Sequence, residues 1–451
     1  MQLALYEKYD LRLPRYTSYP TAPHFHTGID GKRLARWLSE LDPAQPLSLY
    51  VHVPYCEKMC WFCGCNTQIT HRYQPVGQYV DLLLSEIEQR LSLLPKGERF
   101  TVSHLHFGGG SPTILSASDL TRIMDALRQR VDILPNAEVA LEMDPRTTTP
   151  AFIDAMAANG FNRASIGIQD FNPAVQAAVN RVQSLEDVAE IIAMLRAKGI
   201  AGINVDLMYG LPMQTVESLI DTVDQTLTLR PDRLSIFGYA HVPWMKKHQQ
   251  VIATDTLPNV EERWAQYDAM QQRLAEHGYQ AIGLDHFAHP NDSLAIAQRN
   301  GDLQRNFQGY TTDSAEALIA FGPSAISSLP QGYIQNTTGI GDWRNAINAG
   351  HSAAIKGIAI DKEDRLRRDV INRLMCNLAV DISDICAQHK TFPDRFLPEL
   401  DRVRAMTSDG IVEVEGWEIR LTELGRPLVR AVCAAFDGYL VESEGRHSAA
   451  V

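Results

Sequence analysis

Six short apolar or β-branched runs, at 47–53, 102–107, 139–143, 163–168, 203–208 and 233–237, alternate with longer amphipathic stretches. "QYVDLLLSEIEQRLSLL", "SDLTRIMDALRQRV" and "VESLIDTVDQTLTLR" carry apolar residues at i, i+3/i+4 and i+7, the period of a helix with one buried face. Gly or Pro marks many of the junctions. This alternation predicts an α/β fold, a parallel sheet with helices outside, either open or closed into a barrel. Six units fall short of the eight of a complete barrel. In such folds chemistry gathers at the C-terminal ends of the strands. Here those ends read "VPYC", "GGGS", "EMDP", "GIQDF", "DLMYG" and "GYAH", a rim of polar residues and glycines.

After residue 240 the alternation weakens. A helix is expected over 260–277, then "YQAIGLDHFA" and the loop-rich "RNFQGYTTD". From about 357 the texture becomes helical, and "DGIVEVEGWEIRLTELGRPLVRAVCAAF" reads as a hairpin followed by a helix. The expected division is an N-terminal segment 1–45 packing near the active site, a catalytic domain 46–356, and a small, mainly helical, winged-helix-like domain 357–451.

The net charge of −12, with both signs interspersed, argues against a general nucleic-acid binder. No run of eighteen apolar residues occurs, and the first sixteen residues lack a cleavage site, so neither a membrane span nor a signal peptide is expected. Seven cysteines, four of them clustered, do not make a disulfide framework. A reducing compartment, the cytoplasm, is the expected location.

That cluster is "CEKMCWFCGC", with Cys56, Cys60, Cys63 and Cys65 in ten residues directly after the first strand. A structural zinc site wants two cysteine pairs, and no second CxxC exists. Compact thiolate runs hold iron–sulfur clusters. Three thiolates on a cube of four irons leave one iron open to a ligand. A closed cluster using Cys65 meets a geometric objection, since only Gly64 separates it from Cys63. The three-thiolate reading is the favoured one; the closed cluster and zinc are the alternatives.

Further motifs end the later strands. "HFGGGSPT" is neither a Walker A loop nor GxGxxG, but its glycines allow close approach of backbone to a ligand. Glu142 in "LEMDP", Gln169 in "SIGIQDFN", Arg181 in "VNRVQ" and Asp206 in "NVDLMYGLP" offer polar groups. Taken singly, each is as readily a cap or a buried ion pair; several on one rim beside thiols point to a site. His104 and His106 share a strand face, and no second metal is assigned to the histidines.

CxxxCxxC after a first strand resembles the signature of radical S-adenosylmethionine (SAM) enzymes. The ordered set "PRYTSYPTAPHF", "LYVHVPYCEKMCWFCGC", "HFGGGSPT", "GIQDFN", "NRVQ", "DLMYGLP", "YAHVPWMK", "DHFA" and "RNFQGYTT" resembles the oxygen-independent coproporphyrinogen III oxidases over nearly the whole chain. One small departure is Ser111, where Thr is more usual before Pro. The resemblance implies a partial (β/α)6 radical SAM barrel, a 4Fe–4S cluster and SAM, with two SAM molecules held. It implies decarboxylation of the ring A and B propionates of coproporphyrinogen III to vinyl groups through a 5′-deoxyadenosyl radical. It also implies an external reductant and electron acceptor; a monomer is expected.

Carried over by motif position, Cys56, Cys60 and Cys63 ligate the cluster. Tyr50, Gly109, Glu142 and Ile326 contact the first SAM. Phe62, Gly110, Ser111, Gln169, Arg181, Asp206 and Ala240 contact the second, or the volume it fills. Cys65 and Tyr50 stand beside the reaction. Arg15, Tyr16, Arg305 and the "RNFQGYTT" loop are candidate partners for an anionic substrate. A related protein of haem trafficking or haem degradation is the alternative reading.

Overall fold

The computed structural model describes Leu5, Lys8, Tyr9 and residues 13–440. The outermost parts of the expected N- and C-terminal units, and most of the stretch read for a signal peptide, lie outside the described residues.

The six expected strands form the centre of the molecule. They are β1 (Leu47–Val53), β2 (Thr101–Gly109), β3 (Asp132–Met143), β4 (Arg163–Gln169), β5 (Gly202–Tyr209) and β6 (Arg233–Gly238). Each lies parallel to its predecessor, in chain order. Helices α1 (Gln74–Leu91), α2 (Ala117–Arg130), α3 (Pro150–Ala158), α4 (Leu185–Ala197) and α5 (Val216–Thr228) provide the crossovers, and α6 (Val260–Glu276) follows β6. Side-chain caps fix where several begin: Ser116 accepts the Asp119 N–H, Ser184 the Asp187 N–H, and Thr215 and Asn259 close capping boxes.

Strand periodicity explains what faces inward. Side chains two apart share a sheet face, and one face carries Ser48, His104, His106, Glu138, Glu142, Arg163, Ser165, Asn204, Asp206, Arg233 and Ser235 around a cavity of ≈ 190 Å³. The intervening residues, such as Leu49, Val51, Leu105, Leu141 and Val205, are buried in the hydrophobic core. The inner charges are paired, as buried charges must be. Arg163 Nε lies 3.0 Å from Glu138 Oε2, and Arg233 Nε lies 2.7 Å from Asp292 Oδ1.

The sheet extends further than the sequence reading, which stops at six units. Ala317–Phe321 pairs parallel to β1 on its free edge, followed by antiparallel Ile326–Leu329, Gly332–Asn336 and Ala354–Ala359. His286–Ala288 and Gln280–Ile282 add antiparallel to β6, giving twelve strands in one sheet. Beyond it, helices Lys362–Asn377, Ile382–Gln388 and Leu397–Arg404 precede the expected hairpin Val412–Glu415/Glu418–Leu421 and helix Val429–Ala434. A third short strand, Ala379–Asp381, joins the hairpin. This region is tied back to the rest through Tyr310 Oη, which donates to the Met375 carbonyl at 2.8 Å, and through Gly438 N–H, which donates to Tyr19 Oη at 2.8 Å.

Candidate active site

The cysteine loop leaves β1 at Val53 and is stitched to the end of β2. Gly110 N–H donates to the Val53 carbonyl and Ser111 N–H to the Tyr55 carbonyl, both at 2.8 Å. A short parallel pairing of Tyr55–Cys56 with Gln68–Ile69 closes the loop's base. Glycine is required at the joint. A Cβ on Gly110 would sit 2.6 Å from both the Tyr55 carbonyl oxygen and Thr67 Oγ1, and one on Gly109 (φ +114°) 2.6 Å from the His52 ring.

Cys56, Cys60, Cys63 and Cys65 line one cavity of ≈ 180 Å³ together with Phe62, Gly109, Gly110, Ser111, Glu142, Gln169, Arg181 and Asp206. Twelve of the fifteen residues assigned from sequence to the cluster, to SAM or to the reaction thus meet on one wall, and the candidate substrate partners Arg15, Tyr16 and Arg305 do not line it. Cys60 is buried, Cys56 and Cys63 are half-buried, and Cys65 is exposed. Cys60 Sγ lies 3.3 Å from Arg146 Nη2 and 3.4 Å from Arg181 Nη1. The hydrogen bond from Cys65 favours the Cys63 thiolate, lowering its pKa, and raises that of Cys65 itself. Burial, only partly offset by the Thr67 hydroxyl at 3.3 Å, pushes Cys56 up to about 12.

Glu142 stands at the end of β3 with both oxygens engaged. His106 Nε2 donates to Oε1 at 3.2 Å and Gly109 N–H to Oε2 at 3.1 Å. Burial pushes its pKa up, but the His106 hydrogen bond and charge with the Gly109 N–H outweigh it, so the carboxylate is favoured. Asp206 shows the opposite balance: burial first, then the charge of Glu142, raise its pKa against hydrogen bonds from Ser165 and Ser235. Glu142, Ser165 and Asp206 line both the thiol cavity and the barrel cavity, so the two adjoin.

The other three sequence-derived residues lie off that wall. Tyr50, in mid-β1, stacks on His106 with ring centroids 6.0 Å apart and shares a hydrogen bond of 3.1 Å with His52 Nδ1. Ala240 follows β6, and its carbonyl accepts from Gln249 Nε2 at 3.3 Å; the same amide donates to the Phe62 carbonyl at 2.9 Å. Ile326 begins the strand Ile326–Leu329, which lies between two neighbours in the sheet, and packs against the cluster of Phe25 and Tyr333. Sequence reasoning missed Asp144, Arg146 and the segment around 246–249. Asp144 holds Arg146 and Arg181 against Cys60, at 2.7 and 3.4 Å. Lys246 Nζ and His248 Nε2 bind the carbonyls of Cys65 and Cys63 at 3.0 and 2.7 Å. Asp144 belongs to the quoted "EMDP" and Lys246 ends the quoted "YAHVPWMK", so both could have been found there; the contacts of His248 and Gln249 carry no local sequence signal.

A protein-family model described as "Radical SAM superfamily" matches residues 50–226, and one described as "HemN C-terminal domain" matches 360–428. The parallel arc with its thiol loop at the strand ends is thus the radical SAM fold. The oxygen-independent coproporphyrinogen III oxidase of Bradyrhizobium diazoefficiens is 50% identical over 440 residues, 98% of this chain and 97% of its own. That of Escherichia coli (strain K12) is 41% identical over 442 residues, 97% of this chain and 95% of its own. The solved structure of coproporphyrinogen III oxidase from Escherichia coli, described as a radical SAM enzyme, superposes with a TM-score of 0.91 at 40% identity, covering 95% of this chain and 100% of that one. The chain belongs to the oxygen-independent coproporphyrinogen III oxidase family.

Its superfamily uses a 4Fe–4S cluster and SAM. The residues present fit both groups. The thiols of Cys56, Cys60 and Cys63 converge on one cavity wall, and Gly109 and Gly110 border the same cavity. Among the described residues no three His, Cys, Asp or Glu side chains close on a single-ion site. Zinc draws its sulfur ligands to about 2.3 Å, whereas a cube of four irons holds its cysteines farther apart. Among the described residues, no helix is long and apolar enough to cross a membrane.

Proposed function

We propose that this chain converts coproporphyrinogen III to protoporphyrinogen IX without oxygen, turning the ring A and ring B propionates into vinyl groups. The observation that carries the reading is the meeting of three thiols, the glycine loop and Glu142 on a wall that adjoins the barrel cavity. In each half-reaction a hydrogen atom leaves the propionate β-carbon, the bond to the carboxylate carbon breaks, CO2 departs, and one electron passes to an external acceptor. When bound, the cluster and SAM supply the hydrogen-abstracting radical through one electron from an external reductant.

Cys56, Cys60 and Cys63 hold the cluster, with Arg146 and Arg181 donating toward Cys60 and balancing thiolate charge. Glu142, fixed by His106 and Gly109, is an acceptor for the SAM amino group and Gly109 bounds the same volume, while Tyr50 and Ile326 are assigned to this SAM by motif position alone. Phe62, Gly110, Ser111, Gln169, Arg181, Asp206 and Ala240 border a second SAM or its space. Cys65, exposed beside Cys63, and Tyr50, stacked on His106, are the residues assigned a part in the reaction itself. The division at 45 and 356, a monomeric state and a cytoplasmic location complete the reading. The family-model match over 360–428 supports the second boundary.

The deciding experiment is anaerobic incubation of the reconstituted protein with reductant, SAM, an electron acceptor and coproporphyrinogen III. Formation of protoporphyrinogen IX with release of two CO2 per substrate is expected. Sustained SAM cleavage without that product would refute the assignment.

A further inference from the structure

On the reading just given, the geometry points to the cavity between the barrel and the C-terminal helices as the seat of the substrate's non-reacting carboxylates, anchored by Arg305, Arg365 and Arg368. The cavity measures ≈ 420 Å³ and is bounded by residues 16–19, the hairpin around 304–311, the following segments 313–318 and 328–333, and one face of helix Lys362–Asn377. Arg365, Arg368 and Asn372, spaced i, i+3 and i+7, bring that face toward it. Phe307 and Tyr333, whose rings meet edge to face at 6.0 Å, provide apolar wall for a macrocycle.

The guanidinium groups have binding capacity to spare. Arg365 donates to the Pro330 carbonyl at 3.0 Å rather than to a carboxylate. Arg368 reaches Asp369 at 3.4 Å, and Asp369 is itself engaged by His389 Nε2 at 2.7 Å. Arg305 has a side chain only 3% exposed, yet its Nε and Nη1 lack any acceptor. Its nearest carboxylate, Asp285, lies 3.9 Å away and is bound to His286 at 2.7 Å. Buried donors left unmet are costly. Arg305 stacks 4.4 Å over the Tyr310 ring, and a carboxylate entering the cavity offers these guanidinium forks the acceptor geometry they suit. Of the other acidic residues on the wall, Asp313 is engaged by Ser48 and His104, and Glu316 is exposed; only Asp369 shares a guanidinium, that of Arg368, at 3.4 Å.

Position matters as much as charge. Asn306, Thr311, Asp313 and Leu318 line both this cavity and the barrel cavity, which in turn adjoins the thiol wall. A tetracarboxylate held at the guanidinium end therefore extends toward Glu142 and Asp206. Two of its four carboxylates react, and two remain to be held. Two of the three anchors come from the C-terminal helix, which gives that region a part in substrate recognition.

The test uses coproporphyrin III, the oxidised fluorescent tetracarboxylate, and its tetramethyl ester as probes of the full-length reconstituted protein. Variants are Arg365→Gln, Arg368→Gln, their double, and Arg305→Lys, which keeps the charge but loses the fork. Loss of charge-assisted hydrogen bonds predicts a Kd about tenfold or more higher for the acid in the double variant. KM for coproporphyrinogen III should rise in step, with kcat changing less. The ester should bind wild type weakly and the variants no more weakly. Matching unfolding midpoints and iron contents show that each variant is folded. Binding of the acid within about twofold of wild type in the double variant, or of the ester as tightly as the acid, overturns the proposal. A wild type that binds the probe but forms no product overturns the proposed reaction and leaves the site standing; one that does neither overturns both.

Discussion

His106 Nε2 lies 3.2 Å from Glu142 Oε1, joining β2 to β3 across the inner face of the barrel, while the Gly109 N–H holds the other carboxylate oxygen. The pair keeps an ionised carboxylate at the junction of the thiol and barrel cavities. Glu142→Gln preserves the shape and removes the charge. A charge-assisted hydrogen bond contributes about 1.5–3 kcal/mol, so SAM affinity should fall by about tenfold or more. Iron content should stay at the wild-type level. Equilibrium binding of SAM to the anaerobically reconstituted protein measures this, and unchanged affinity would remove Glu142 from the SAM site.

The glycines of the site differ in what they tolerate. A methyl on Gly110 meets the Tyr55 carbonyl oxygen, already fixed by the Ser111 N–H, so it forces backbone apart. Gly110→Ala should destabilise the protein by about 1–3 kcal/mol, the usual cost of overpacking. Gly64, between Cys63 and Cys65, has nothing within 4 Å of an added Cβ. Gly64→Ala should stay within about 0.5 kcal/mol of wild type. Urea unfolding of the two variants compares them directly; equal losses would mean the joint is not set by Gly110.

The six central strands and their rim were legible because their periodicity and their loops agree. Polar inner residues alternate with apolar outer ones in β3 and β5, and these two strands are followed by Asp144 and Gly210. The strand Ala317–Phe321 was not legible: it is buried throughout, so "ALIAF" carries no period that separates strand from helix. Gln280–Ile282 and His286–Ala288 are too short to show any period. At the site, the thiols and Glu142 sit in contiguous motifs. The braces from His248 and Gln249 instead join residues nearly two hundred positions apart in sequence, which only the fold brings together.

The thiols themselves separate by environment. Cys60 is buried and faces two guanidinium groups, whereas Cys65 is exposed and contacts Cys63 through its own N–H at 3.4 Å. Cys60→Ser should lose iron and acid-labile sulfide on reconstitution. Cys65→Ser should retain both and lose product formation. Equal loss of iron in the two variants would defeat the three-thiolate assignment and favour a closed cluster.

Asp285 offers a pH test of the structure around the barrel mouth. Burial raises its pKa, but the hydrogen bond and charge of His286, with Arg305 and Arg15 behind, outweigh that and leave it at about 2. An unfolded carboxylate titrates near 3.9, so the folded value is depressed by about two units, or roughly 2–3 kcal/mol. A depressed carboxylate contributes this stability in full above the unfolded value and loses it as pH falls through the folded one. Asp285→Asn should therefore cost about 2 kcal/mol at pH 7. The gap to wild type should narrow below about pH 4, as the Asp285 carboxylate takes up its proton. Denaturant midpoints between about pH 5 and 2 decide the matter, and a gap that does not narrow there would assign the stabilisation to another group.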